Sequence, residues 1–254
     1  MAANGENHIV PDTRSLRIKI FADGADLQGM KVLYANPTIR GFTTNPTLMK
    51  AAGVTDYADF ARKVLAVITD RPVSFEVFAD EFDEMEQQAI EIASWGRNVN
   101  VKIPVTNTKG QFTGPLLRKL CERGVQVNVT AVFTLEQVRH IVDALDPDVP
   151  AIVSIFAGRI ADCGIDPVPL MAEAVRLLEP RPKAELLWAS PRELLNIFQA
   201  DSVGCGIITV TNDLLRKLAL VGKDQDAYSL ETVKMFHNDA RAAGFKIETP
   251  VFAK

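Results

Sequence analysis

A chain of 254 residues with 47% hydrophobic and 24% charged side chains has the size and composition of one globular unit with a large core. It is close to the roughly 250 residues of an eight-stranded α/β barrel. A net charge of −4 without a basic block argues against a nucleic-acid partner. Three widely spaced cysteines (Cys121, Cys163, Cys205) argue against a disulfide framework and point to a reducing compartment. No apolar run approaches the ~20 residues needed to span a bilayer. With no hydrophobic leader in MAANGENHIVPDTRS, a cytoplasmic location is expected.

Residues 1–15 are polar, carry Gly and Pro, and read as a flexible arm; residues 16–254 read as one domain. Short apolar runs then alternate with helical patterns. Strands are expected over 17–22, 40–43, 73–78, 99–103, 125–129, 151–155, 185–188 and 206–209. Helices are expected over 27–34, 57–68, 81–95, 114–122, 135–145, 168–178, 192–199 and 212–219, with a last one over 229–243. Thr134, Asp166-Pro167 and Ser190-Pro191 are helix-start signals. Eight strand–helix units in this length predict a single (β/α)8 TIM barrel, with an open doubly wound sheet as the alternative. No Gly-rich nucleotide loop follows any strand.

Side chains alternate between the faces of a strand. In NVNVKIPV the aliphatic Val99, Val101 and Ile103 should meet the outer helices, which turns Asn100, Lys102 and Pro104 inward. The same rule turns Phe21 and Asp23 inward, and likewise Ser74, Glu76 and Phe78, then Gln126, Asn128 and Thr130, then Ile152, Ser154 and Phe156. Asp23, Glu76, Lys102, Asn128, Thr130 and Ser154 thus gather at the C-terminal ends of the strands, where barrel enzymes keep their active sites. None of these is His or Cys; His8, His140 and His237 lie in the arm or on helices, so a catalytic triad or a His-bound zinc is not expected.

A lysine in an apolar strand is costly unless it is paired or neutral. Lys102 therefore admits two readings: a structural ion pair with Glu76, or a nucleophilic amine able to form an iminium with a carbonyl. In the second, Asp23 and Glu76 are candidates to move protons. Arg159, after the sixth strand, and Ser190 with Arg192, at the seventh strand-to-helix turn, could hold a phosphate. Arg192 would sit in a first helical turn, where free N–H groups favour an anion. Each arginine could equally be a solvated or ion-paired surface residue.

GFTTNP at the second strand, VKIPVT around Lys102, VNVTAVF at the fifth and FAGRI at the sixth resemble the transaldolase family, in order, from about residue 19 to 217. The resemblance implies a Schiff base at Lys102 and transfer of a dihydroxyacetone unit between sugar phosphates, with no metal or organic cofactor. It implies that Asp23 shuttles protons and that Glu76 and Thr130 hold a water that relays them. It further implies that Thr44 and Asn45 line the site, that Asn128 and Ser154 bind hydroxyls, and that Arg159, Ser190 and Arg192 bind phosphate. Glu76 and Phe156 resemble the transaldolase choice, whereas the compact fructose-6-phosphate aldolases carry Gln and Tyr there. Cleavage of the aldolase type and a noncatalytic sugar-phosphate-binding barrel are the alternatives. WASPRE around Trp188 and the loop ADCGIDP depart from the family pattern; Trp188 is expected to reshape the phosphate end. Compact relatives form rings through the last helix, which implies a homo-oligomer.

Overall fold

In a computed structural model, residues 12–249 are described. Among the described residues, 12–14 with 219–249 form one compact unit and Ser15–Leu218 form the other. The expected arm, residues 1–15, falls mostly outside the described residues; of it, Thr13–Ser15 form one 3-10 turn.

The larger unit is a closed barrel of eight parallel strands in sequential order. The strands are β1 (Lys19–Asp23), β2 (Ile39–Thr43), β3 (Val73–Glu76), β4 (Val99–Pro104), β5 (Val127–Val132), β6 (Ala151–Ile155), β7 (Ala184–Trp188) and β8 (Ile207–Thr211). The helices between them are amphipathic. In Phe82–Ser94, Met85, Ala89 and Ile92 recur at helical spacing and are buried; in Leu135–Ala144, Val138, Ile141 and Val142 do the same. Thr134 starts the latter helix with a capping box closed by Gln137, and Asp166 caps the helix begun by Pro167.

The alternation read from the sequence separates two apolar cores. Phe75, Val101, Ile103, Val129 and Val153 join the outer core between strands and helices. Phe21, Ile152, Leu187, Ala189 and Ile207 form a separate plug inside the barrel, with Phe156 packed against it. The plug needs Gly41, because a Cβ there would stand 2.5 Å from the Phe21 ring.

Several expectations are corrected. Phe78 does not turn inward: β3 ends at Glu76, and Phe78 is exposed with its ring 4.6 Å from Tyr57. Gln126 precedes β5. Two short helices, Pro46–Ala51 and Ala157–Asp162, were not expected. The helix after β7 begins at Leu195, because Asn196 Oδ1 accepts from the backbone N–H groups of Arg192 and Glu193 and holds that stretch as a turn.

Candidate active site

Register builds the site. Glu76 pairs with Lys102, and Lys102 with Asn128, across β3, β4 and β5, so three inward polar side chains stand in a row. They line a cavity of about 560 Å³ at the C-terminal ends of the strands, together with Asp23, Thr130, Ser154 and Arg159.

Lys102 is 7% exposed. Its Nζ donates to Glu76 Oε2 at 3.1 Å and to the Thr44 carbonyl at 3.0 Å. The ion pair expected of a buried lysine is therefore present, and it lies within the cavity. Tyr57 steadies the glutamate from outside: its hydroxyl accepts from the Glu76 N–H at 2.6 Å and donates to the Glu76 carbonyl at 3.1 Å. Burial pushes the Tyr57 phenol up, keeping it protonated as a donor.

Asp23 accepts from Thr43 Oγ1 at 2.9 Å and from Asn45 Nδ2 at 3.2 Å. Asn45 is the N-cap of the helix Pro46–Ala51, and its Oδ1 accepts from the Leu48 N–H at 2.9 Å. Capping thus fixes which way the amide faces and aims its NH2 at the carboxylate. Burial raises the pKa of Asp23, against the pull of the Thr43 hydrogen bond, the nearby Lys102 charge and Asn45. A carboxyl tuned upward beside an amine suits proton transfer.

Beyond Lys102, Ser154 Oγ donates to Asn128 Oδ1 at 2.6 Å, and Asn128 Nδ2 donates to Ser74 Oγ at 3.1 Å. Thr130 is buried, and its hydroxyl makes no hydrogen bond among the described residues. After it β5 bulges: the register with β6 breaks between Val129 and Val132, with Ala131 at φ 59°.

Phe156 follows the sixth strand as N-cap of the helix Ala157–Asp162, which carries Arg159. The Arg159 guanidinium lies 5.2 Å over the Phe156 ring and has no carboxylate partner among the described residues. Arg192 is engaged: Nε donates to Asp162 Oδ1 at 2.8 Å, Nη2 pairs with Asp162 Oδ2, and Nη1 donates to Ser190 Oγ at 2.9 Å. The pairing holds the Asp162 carboxyl below its usual range. This helix and the Ser190 turn touch through bare backbone. A Cβ on Gly158 would stand 1.5 Å from the Ser190 carbonyl oxygen, and Ser190 has φ 61°.

Three expectations about the site need correction. Thr44 contributes its carbonyl rather than its side chain: its hydroxyl turns away and donates to the Ser74 carbonyl at 2.9 Å. Arg192 lies in the turn before Leu195, so no helical first turn assists it. Trp188 belongs to the outer core, where its indole N–H is buried without a partner among the described residues, and its side chain does not line the cavity. Sequence reasoning passed over Thr43, Thr209 and Thr211, which also line the cavity; the Thr43 and Thr209 hydroxyls hydrogen-bond to each other. Alternation along Gly41-Thr43-Asn45 would have found Thr43.

Residues 20–251 match the family model described as transaldolase/fructose-6-phosphate aldolase. The chain belongs to this family. It is 34% identical over 202 residues to a "Probable transaldolase" of Dehalococcoides mccartyi, covering 79% of this chain and 90% of that protein. A protein of the same name from Methanococcus maripaludis is 32% identical over 79% of this chain and 89% of its own length. One from a Thermoanaerobacter species is 29% identical over 91% of this chain and all of its own. Membership makes this a transaldolase-like enzyme of sugar-phosphate chemistry. Among the described residues no helix is long and apolar enough to cross a membrane.

Proposed function

We propose that the chain transfers a dihydroxyacetone unit from a ketose phosphate to an aldose phosphate through a Schiff base on Lys102. The observation that carries this is the Lys102 amine, buried in the cavity between Glu76 and the Thr44 carbonyl and sharing that cavity with Asp23. Glu76 is in reach to take a proton from the ammonium. The neutral amine adds to the C2 carbonyl, and loss of water leaves an iminium. Asp23 takes the proton of the C4 hydroxyl, the C3–C4 bond breaks, and its electrons enter the iminium to give an enamine. The aldose phosphate leaves, an acceptor aldehyde is attacked by the enamine, and hydrolysis frees the product and Lys102. Glu76 and the unbonded Thr130 hydroxyl hold the water that relays protons. Asn45, Asn128 and Ser154 meet substrate hydroxyls, and Phe156 walls the site. Arg159 takes the phosphate, with Arg192 and Ser190 beside it.

Borohydride added with fructose 6-phosphate should fix a reduced adduct on Lys102, read by peptide mass spectrometry; absence of that adduct rules the mechanism out. Transferase is favoured over aldolase by Glu76 and Phe156. Release of free dihydroxyacetone at the same rate with and without erythrose 4-phosphate would reverse that preference. The helix Gln225–Ala242 buries none of its residues and exposes Leu230, Val233, Met235 and Phe236, which supports a homo-oligomer, tested by light scattering. The free thiols Cys121, Cys163 and Cys205 support a reducing, cytoplasmic setting.

A further inference from the structure

The opposite, N-terminal mouth of the barrel holds a cavity of about 520 Å³. Its charged walls are four cations, Lys19, Arg40, Arg71 and Lys183, against two carboxylates, Asp70 and Glu185. Most of these are already committed. Lys19 Nζ bonds both Glu185 oxygens at 2.8 Å. Asp70 accepts from Tyr34 Oη at 2.7 Å. Arg71 donates to the Asn36 carbonyl at 3.1 Å, and Lys183 to the Asp148 carbonyl at 2.6 Å.

Arg40 differs. The β1–β2 register runs from Ile20↔Ile39 to Phe21↔Gly41 and skips it, so the strand bulges and sets this arginine into the mouth. It makes no hydrogen bond or ion pair among the described residues. Asn100 also lines this cavity, is 5% exposed, and its amide has no partner among the described residues. The side-chain amide of Gln126 beside it is likewise unbonded among the described residues. Among the described residues Trp188 Nε1 is the one fully buried side-chain nitrogen or oxygen without a partner, so the Asn100 amide opens onto this cavity, where it can meet a ligand. An unpaired guanidinium and two unbonded amides converge on one polar cavity large enough for a phosphate.

We infer that the N-terminal mouth is a second anion site, built for a small phosphate-bearing ligand held by Arg40, Asn100 and Gln126. Guanidinium and amide NH2 groups offer donors in the forked geometry that phosphate oxygens accept. The excess positive charge rejects a metal cation. The apolar plug around Phe21 separates this mouth from the cavity around Lys102, so the two are distinct sites.

The test uses inorganic phosphate as the probe, titrated calorimetrically at ionic strength held constant with potassium chloride. An Arg159→Ala/Arg192→Ala background removes the phosphate group at the opposite end. One saturable site should remain there. Adding Arg40→Met, which keeps the stem and removes the charge at an exposed position, should weaken it at least tenfold. Asn100→Asp, nearly isosteric, should abolish it, with circular dichroism reporting that the fold is kept. No saturable binding in the background variant overturns the inference, and so does unchanged affinity in Arg40→Met, whether or not the Asn100 variant folds.

Discussion

Gly158→Ala is the sharpest probe of how the phosphate end is assembled. The added Cβ would stand 1.5 Å from the Ser190 carbonyl oxygen and 2.6 Å from its carbon. Ordinary contact begins at 3.4 Å, so the helix Ala157–Asp162 or the Ser190 turn must retreat by about 3.4 − 1.5 = 1.9 Å. Neither yields readily, because Gly158 N–H also donates to the Ala189 carbonyl at 3.3 Å. Overpacking of ~1–3 kcal/mol plus a lost hydrogen bond of ~1 kcal/mol gives a destabilisation of about 2–4 kcal/mol. At roughly 2–4 °C per kcal/mol for a chain of this size, Tm falls by about 4–16 °C in scanning calorimetry. The same shift separates Arg159 from Arg192. A displacement near 1 Å can cost about 100-fold in rate, so kcat/KM for a phosphorylated donor should fall by about that factor or more. Meanwhile borohydride should still trap a short unphosphorylated ketone on Lys102. Stability within 1 kcal/mol of the parent and an unchanged KM would refute the reasoning, showing that the helix and the turn have slack.

Lys102→Met should abolish turnover and trapping. Because the Glu76 side chain is 19% exposed, the stability loss should fall toward the lower end of the ~3–5 kcal/mol seen when a buried pair loses one partner. Adding Glu76→Gln should recover much of it in urea melts; no recovery would mean the pair is not what the mutation disturbs. For Asp23, burial raises the folded pKa above 3.8, so the native state holds that proton more tightly than the unfolded chain. The resulting penalty is complete above the raised value and disappears below 3.8. Asp23→Asn should therefore raise Tm at pH 7, with the gain closing as pH falls through that window, while kcat drops about 10²–10⁴-fold. A lower Tm at pH 7 would mean the Thr43 and Asn45 hydrogen bonds outweigh burial. Arg159→Ala should raise KM for a phosphorylated donor more than Arg192→Ala, since Asp162 already neutralises Arg192. The exposed Arg192–Asp162 pair should contribute little to stability in thermal melts. Equal KM effects from the two variants would contradict the assigned difference.

The barrel was legible because β3 to β6 alternate cleanly between aliphatic and polar residues, and the same alternation put Asp23, Glu76, Lys102, Asn128 and Ser154 on one rim. β8 was harder. Ile207, Ile208, Thr209, Val210 and Thr211 are all β-branched, so its two faces differ too little in polarity to announce Thr209 and Thr211. Thr44 was placed by family likeness although its own parity sets it opposite Thr43 and Asn45. Ser190-Pro191 mimics a helix start, but Asn196, four residues beyond Arg192, claims the backbone donors first. The helices Pro46–Ala51 and Ala157–Asp162 are too short to show a period. The bulge at Arg40 leaves no mark in polarity, since it is a property of pairing between strands.

The ring of Phe21 seated over Gly41 has a consequence for traffic through the molecule. It stoppers the cylinder midway, so nothing that enters from one opening leaves by the other. Each opening then samples the surrounding solution independently, and the chemistry at one can change over evolution without altering the other.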